Sequence, residues 1–478
     1  MSLFLGIDVG TTKTAAVVVD TKTGSLVAWQ ERPNDNRLGA APDRSEWDAH
    51  AGLELAMAVS CEAAERARSF GQVEGIGVTG QMHGVVVVDE DLEPRTPFIG
   101  WQDKRCDEPT REFDSTIAQM RRLASEEFLS GTGRRFATGY MGPTLFWLVQ
   151  NGLLPSDGVT ASFMPDYVVA WLCQQRPVTD TTDAASAGVY DLVRHCWHED
   201  LLRTLGLPLS LFPAVLPTGS LAGRLAPEPA KALGLPAGLP VMNALGDNQS
   251  SFFGSVASPA HDLLINIGTG GQISATVRHF VPPEMLETRP FVGEDYLLVG
   301  AGMTGGNAYA AIRDFVLQIG EQVFGVTRSG DLYAVLNRLA EAVAPGSEGL
   351  QCDPRFAGTR HMPWQRGSFT GISPANFTIG HFVRALFEGM AETFWSAYVE
   401  MQAKGLEPRQ RLVGSGNGIR RNPLLAHILA ERFGLPLVTP VHTQEAAYGA
   451  ALLAAVAAGA VPSLSAAGSL IRYLDGKS

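Results

Sequence analysis

Residues 3–19, Leu3-Phe-Leu-Gly-Ile-Asp-Val-Gly-Thr-Thr-Lys-Thr-Ala-Ala-Val-Val-Val19, are matched in type by residues 263–277, Leu263-Leu-Ile-Asn-Ile-Gly-Thr-Gly-Gly-Gln-Ile-Ser-Ala-Thr-Val277. Each copy reads as an apolar strand, a short turn of Gly and Thr, and a second strand, the pattern of a hairpin with small residues at its tip. One copy in each half points to a duplicated domain and not to a solenoid. Length agrees, because single cores stop growing at roughly 250–300 residues and the chain has 478.

Working outward, residues 47–70 place Leu53, Met57, Cys61 and Ala64 at helical spacing, and an apolar strand follows at 73–78. A hairpin is predicted with arms 84–88 and 98–101 around the acidic turn Asp89-Glu90-Asp91. Segment 213–246 is rich in Pro and Gly and ends in a short strand, 240–245, that runs into Gly246-Asp247-Asn248-Gln249. The boundary is expected just beyond, giving domains 1–254 and 255–478. In the second half Phe382, Leu386, Met390, Phe394 and Tyr398 recur every four residues and predict a long amphipathic helix. A strand at 411–413, the glycine loop Gly414-Ser-Gly-Asn-Gly418 and a helix over 422–433 with Pro423 in its first turn come next. A strand at 436–438 and a terminal helix from Gln444 complete an α/β pattern.

Hydrophobic content of 45% against 18% charged is that of a globular chain with a large core. The balance of 37 Lys+Arg and 49 Asp+Glu, a net charge of −12, repels phosphate backbones and anionic membranes, so neither is an expected partner. The uncharged run 446–461 is shorter than the ~20 residues a membrane span needs and reads as a buried helix. Cys61, Cys106, Cys173, Cys196 and Cys352 are widely spaced with no C-x-x-C pair, so they read as reduced thiols and not as a zinc site or disulfide framework. Met1 leads into a strand with no basic segment or cleavage site, which predicts a cytoplasmic location. Oligomeric state is left open, a homodimer included.

Five motifs carry candidate chemistry. In Asp8-Val-Gly-Thr-Thr-Lys13 the N–H groups and hydroxyls of Thr11 and Thr12 can point at phosphate oxygens, and Lys13 is a further candidate nucleotide contact. Asp8 stands where one carboxylate can hold a hydrated Mg²⁺; a plain hairpin turn explains the same residues equally well. Gly268-Thr269-Gly270-Gly271 is the corresponding turn of the second half, and two such turns can clamp one triphosphate from both sides. Gly300-Ala-Gly-Met-Thr-Gly305-Gly306-Asn307 and Gly414-Ser415-Gly416-Asn417 are glycine loops against which a nucleobase and ribose can lie, although each alone also fits a tight turn. Neither has the spacing of a dinucleotide-binding fingerprint.

Thr79-Gly-Gln81-Met82-His83-Gly84 and Trp101-Gln-Asp103-Lys-Arg105 bring amide, imidazole, indole and carboxylate groups to neighbouring strand ends, as a polyhydroxylated ligand requires. Core packing is the plainer reading of His83 and Trp101 when each is taken singly. Asp247, followed by Asn248, is placed to deprotonate an alcohol in phosphoryl transfer. A helix N-cap is an equal alternative.

These residues together resemble the FGGY carbohydrate kinases of the actin, Hsp70 and sugar kinase superfamily, over essentially the whole chain. Gly77-Val-Thr-Gly-Gln-Met-His-Gly84 is similar to the signature of xylulokinases and sedoheptulokinases, and Trp101-Gln-Asp-x-Arg-Cys106 to the sedoheptulokinase version. Asp166-Tyr-Val-Val-Ala170, Thr182-Asp-Ala-Ala-Ser186 and Arg360-His-Met-Pro363 resemble the same subgroup. The chain departs from relatives in having Ala15 where many carry a Lys or Arg, and Thr359 where xylulokinases carry an acid.

The resemblance implies two ribonuclease-H-like domains around a central cleft, with ATP and Mg²⁺ as cofactors and a ketose as substrate, sedoheptulose ahead of xylulose. It makes Asp247 the general base, Asp8 the Mg²⁺-side carboxylate, and Gln81, Met82, His83, Trp101, Asp103 and Asn248 the sugar contacts. Thr11, Thr12, Gly268 and Thr269 would face phosphates, and Gly305, Gly306, Asn307, Gly414, Ser415, Gly416 and Asn417 the adenosine. A different-class alternative is a chaperone- or filament-type ATPase of the same fold with no sugar substrate. A chaperone of that class would need a peptide-binding extension after the ATPase, and a filament former would not need the cluster at 79–103.

Overall fold

The computed structural model describes residues 2–39, 41–133, 135–155, 158–326, 330–358, 362 and 364–474. Both repeated segments are hairpins. β1 (Leu3–Val9) pairs antiparallel with β2 (Lys13–Asp20), and β2 with β3 (Ser25–Pro33). Helix α1 (Ala49–Ala67) starts where the Asp48 carboxylate accepts from the Ala51 N–H. It returns the chain so that β4 (Val73–Gly80) runs parallel to β1. With β5 (Leu221–Arg224), β6 (Pro240–Met242) and β7 (Leu245–Gly246) the first sheet has the order β5-β6-β4-β1-β2-β3, and β7 also pairs with β4.

Helix α2 (Asp247–Ser255) leads to the second half. Its strands are β8 (Asp262–Ile267), β9 (Gly270–Val277), β10 (Glu287–Pro290) and β11 (Tyr296–Thr304). Helices α3 (Gly306–Phe324) and α4 (Ile379–Ala403) precede β12 (Arg411–Ser415), β13 (Leu437–Val438) and α5 (Glu445–Ala457). The order is β10-β11-β9-β8-β12-β13. Strands β3-β2-β1-β4-β6 and β11-β9-β8-β12-β13 therefore repeat one ribonuclease-H-like arrangement: an antiparallel trio, then two strands parallel to the first.

Period-two alternation sets which residues face which layer. Leu3, Leu5 and Ile7 pack with Leu53 and Met57 of α1, while Phe4 faces the other way. The echo holds this parity: Leu263, Ile265 and Ile267 join Leu386, Met390 and Phe394 of α4, and Leu264 faces opposite. Between the sheets lie α2 and α5, whose Phe252, Phe253, Tyr448 and Leu452 link Phe4 and Val17 of the first sheet to Leu264, Val299 and Val413 of the second.

The terminal helix was expected to complete the second domain; instead it also covers the first sheet. Small residues make this close approach feasible. A Cβ at Gly449 would stand 2.0 Å from the Ser250 carbonyl oxygen, and one at Gly254 2.1 Å from that of Glu445. The run 446–461 is thus helical as far as Ala457 and buried from Ala447 to Ala455, and no helix among the described residues is long and apolar enough to cross a membrane.

Three local expectations change. Residues 84–88 and 98–101 share only the bridge Val85–Ile99, because Val87 donates its N–H to the Thr96 hydroxyl and the ladder stops there. Val86–Val88 pairs instead with Thr160–Ser162, and Phe98–Ile99 with Glu46–Trp47. Residues 300–304 belong to β11, held by β9, so only Gly305 stands between that strand and α3, whose first residues are Gly306 and Asn307. Gly414 and Ser415 likewise lie in β12, paired with Ile265 and Asn266.

Candidate active site

Sheet register brings the separate motifs to one place. β4 aligns Thr79 with Asp8 and Gly80 with Val9, and β7 aligns Leu245 with Thr79 and Gly246 with Gly80. Asp8, the loop Gln81-Met82-His83 and Asp247 thus leave three adjacent strand ends at one level. By strand parity Asp8 shares the face of Phe4 and Gly6, the face covered by α2 and α5.

Asp247 is the first residue of α2, with Gly246 at the N-cap, so the capping alternative does not describe it. Its carboxylate accepts from the Asn248 N–H at 2.7 Å. Burial pushes the Asp247 carboxyl up to about 6 against the downward pull of the Arg289 charge. Burial, then the Asp247 charge, push Asp8 up to about 7, with Lys13 pulling down and Glu445 pushing up. Asp8 Oδ1 is buried with no hydrogen-bond partner. Two buried carboxylates, at the ends of the strands flanking β4, therefore repel each other at a cost to the unliganded protein.

Both carboxyls titrate higher in the folded state, so their contribution to stability is full below about pH 4 and is lost as pH rises through 6 to 7. Asp8→Asn is accordingly expected to raise the melting temperature of the ligand-free protein at pH 8 and much less at pH 5. A melting difference that is flat in pH would show that the ionised pair is not strained.

Among the residues expected to contact sugar, Gln81 is buried, its N–H donates to the Val9 carbonyl, and its buried Oε1 accepts no hydrogen bond. The Met82 carbonyl accepts from the Ser186 hydroxyl. His83 stacks on Tyr140 at 4.3 Å with Nδ1 3.3 Å from the Ser186 carbonyl oxygen. Trp101 is 44% exposed, unlike a core indole, and its N–H donates to Thr11 Oγ1 at 2.9 Å, tying the candidate sugar cluster to the first Gly/Thr turn.

Asp103 is different. It is fully buried, and its oxygens accept from Ser45 N, Arg105 N, Arg105 Nε and Arg105 Nη2. The Arg105 pair and the Ser45 amide hold its carboxyl below the usual range despite burial. As placed, Asp103 braces the loop that carries Trp101 and offers no oxygen to a ligand.

Among the residues expected at the nucleotide, the Gly306 N–H donates to Gly268 O at 2.8 Å and the Asn307 N–H to Thr269 O at 3.0 Å, so two separate glycine segments form one unit. A Cβ at Gly305 would meet the Gly270 carbonyl at 2.3 Å. Gly416, in the left-handed region, caps the short helix Asn417–Arg420 beside Ile267. Thr269, Asn307 and Asn417 are exposed around this rim. Gly414 and Ser415 are withdrawn: Gly414 packs under Ile419 and Leu437, and the Ser415 hydroxyl accepts from Asn266 Nδ2. On the opposite turn Thr11 is half-buried and Thr12 exposed. Lys13 does not stand free for a phosphate; it pairs with Glu31 and donates to Gln444 Oε1 at 3.1 Å.

Several supporting residues escaped sequence reasoning. Gly246 donates its N–H to Thr182 Oγ1, and Thr182 donates to Asp180, so segment 180–186 underlies both Asp247 and Met82. Its only sequence signal was likeness to relatives. Gln272 and Arg289 bond Asn248 from the second half and gave no signal, because alternate polar residues on strands ordinarily face solvent. Thr359 and, apart from Met362, the segment 360–363 lie outside the described residues.

No group of three or more His, Cys, Asp or Glu suited to a metal is gathered among the described residues. A magnesium ion that arrives with a nucleotide needs only one or two carboxylates plus phosphate oxygens, and the orphaned Asp8 Oδ1 fits that demand.

Two ribonuclease-H-like halves joined through paired helices, with a phosphate-type turn on each, define the actin, Hsp70 and sugar kinase superfamily. Within it the models of the FGGY family of carbohydrate kinases match residues 3–254 (N-terminal domain) and 263–458 (C-terminal domain), and the chain belongs to that family. The chain is 30% identical to sedoheptulokinase of Homo sapiens, covering 94% of this chain and 96% of that one. It is 26% identical to xylulose kinase of Lactococcus lactis, over 98% and 90%. The crystal structure of xylulose kinase from Rhodospirillum rubrum superposes with a TM-score of 0.87 at 28% identity, over 99% and 93%. Membership makes the chain a carbohydrate kinase, with ATP as co-substrate and a small-molecule sugar as acceptor.

Proposed function

We propose that this kinase transfers the γ-phosphoryl group of ATP to a primary hydroxyl of a ketose, sedoheptulose ahead of xylulose and other pentuloses. The observation that carries the reading is the pair of buried, mutually repelling carboxylates Asp8 and Asp247 at the ends of the strands flanking β4, with the candidate sugar cluster and the two Gly/Thr turns supporting it. Asp247 takes the proton of the acceptor hydroxyl. That oxygen forms the new P–O bond as the bond from the γ-phosphorus to the bridging oxygen breaks and ADP leaves. Asp8 would hold Mg²⁺, which neutralises charge on the phosphates when bound. Thr11, Thr12 and Thr269 orient the phosphates, and closure of the cleft keeps water from competing with the sugar.

Preference for a seven-carbon ketose is supported by the sequence Trp101-Gln102-Asp103 and by the 30% identity to the human sedoheptulokinase. An uncharged sugar is further supported by electrostatics. The buried guanidinium beside Asn248, Arg289, is already paired with Glu287 and so leaves no net charge there to attract an acid sugar. The test is ADP release measured across D-sedoheptulose, D-xylulose, D-ribulose, L-ribulose and glycerol. Turnover should be highest with D-sedoheptulose. Turnover with none of them above ketose-free ATP hydrolysis contradicts the proposal.

A further inference from the structure

Arg289 is 3% exposed on edge strand β10 of the second sheet. Its Nε and Nη2 donate to one oxygen of Glu287 at 3.0 and 2.7 Å, which fixes the guanidinium plane and turns the remaining Nη1 edge toward the cleft. Nη1 donates to Asn248 Oδ1 at 2.9 Å and lies 3.7 Å from Met82 Sδ. On the other side of the same amide, Asn248 Nδ2 donates to Gln272 Oε1 of β9 at 2.8 Å. Arg289 therefore reaches, from the second half, two residues at the sugar side of the first.

An arginine can only donate. Asn248 must therefore present its oxygen to Arg289 and its nitrogen to Gln272, so the amide is locked in one of its two orientations by chemistry. One lone pair of Oδ1 and one N–H of Nδ2 remain, a donor and an acceptor at fixed positions one residue from Asp247. That pair suits a hydroxyl, which both donates and accepts. A flipped amide would offer them in exchanged places.

We infer that Arg289 and Gln272 are positioning residues that lock the Asn248 amide and thereby set which ketose the site accepts. The inference rests on the ketose kinase reading. Because both partners come from the second sheet while the Gln81-Met82-His83 loop comes from the first, acceptor recognition depends on the two halves being correctly seated.

The test compares unmutated protein, Arg289→Lys, Gln272→Met, Asn248→Ala and the pairwise combinations with Asn248→Ala, using D-sedoheptulose and D-xylulose. Lysine keeps the charge beside Glu287 but has one nitrogen and cannot bond Glu287 and Asn248 with fixed geometry. Expected for Arg289→Lys is a ketose KM raised roughly tenfold, the loss of one hydrogen bond involving a charged group. The ratio of kcat/KM for the two ketoses should shift and the KM for ATP should stay put, a split that a general loss of fold would not produce.

Gln272→Met changes no charge and should move the same two quantities in the same direction, so the inference stays open to refutation even where Arg289→Lys fails to fold. Each variant should add nothing once Asn248 is already Ala. Ketose KM and ketose ratio unchanged in a folded variant, or losses that multiply with that of Asn248→Ala, overturn the inference. Unmutated protein that releases no ketose-dependent ADP overturns the kinase reading itself, and that arm tells the two failures apart.

Discussion

Asp247→Asn is expected to lower kcat at least ~10²-fold, the lower range for a positioned acid or base, with the fold and ATP affinity retained. The substitution is nearly isosteric, and the new side-chain oxygen can still accept from the Asn248 N–H as Asp247 does at 2.7 Å. What it removes is the capacity to take the acceptor proton. It also removes the charge that pushes Asp8 upward, so the ligand-free variant should melt higher than the parent at pH 8. Steady-state kinetics paired with nucleotide titration check this, and a kcat within about tenfold of the parent counts against Asp247 as base.

Gly449→Val is expected to be among the most destabilising single changes. Even a Cβ at Gly449 would lie 2.0 Å from the Ser250 carbonyl oxygen, which is α2 backbone and cannot rotate away. The helices cannot simply part, because Phe252 and Leu452 are packed between two sheets. Over-packed cores cost roughly 1–3 kcal/mol and occasionally more, and here the shift would also move Asp247 at the head of α2. Thermal or denaturant unfolding should show the loss, with Gly39→Ala as a neutral control because nothing lies within 4 Å of a Cβ there. A variant as stable as the parent would mean that α2 and α5 are not clamped.

These expectations also mark what was legible in the sequence. The echo of residues 3–19 in 263–277 exposed the duplication, because a hairpin writes itself in contiguous residues. The long helix was equally readable, since Phe382 to Tyr398 repeat on one face. Assignments failed where a residue's neighbour lies far along the chain. Residues 300–304 and 414–415 read as glycine loops because Gly is common in turns, yet they lie in strands, where Gly300 packs on Ile273 and Gly414 on Ile419 and Leu437. The crossing of α5 onto the first sheet follows from Gly6 and Gly77 meeting its backbone, a relation no local pattern encodes.

At the site the acidic residues Asp8 and Asp247 were visible, but what brings them together, the alignment of β1, β4 and β7, is set by register. Asp103 carried the right chemistry in sequence; Arg105, two residues on, takes up its carboxylate. Arg289 and Gln272 show the converse. Neither residue belongs to a motif, and only tertiary packing brings those side chains to Asn248.

Phosphoryl transfer to a ketose hydroxyl is read out by the phosphorus-31 spectrum of a reaction of the protein with MgATP and D-sedoheptulose. The predicted result is a sugar phosphate monoester resonance that grows in step with ADP and splits through coupling to the CH₂ protons of a primary carbon. ADP accompanied only by inorganic phosphate would contradict the claim and mark the protein as an ATPase without a sugar acceptor.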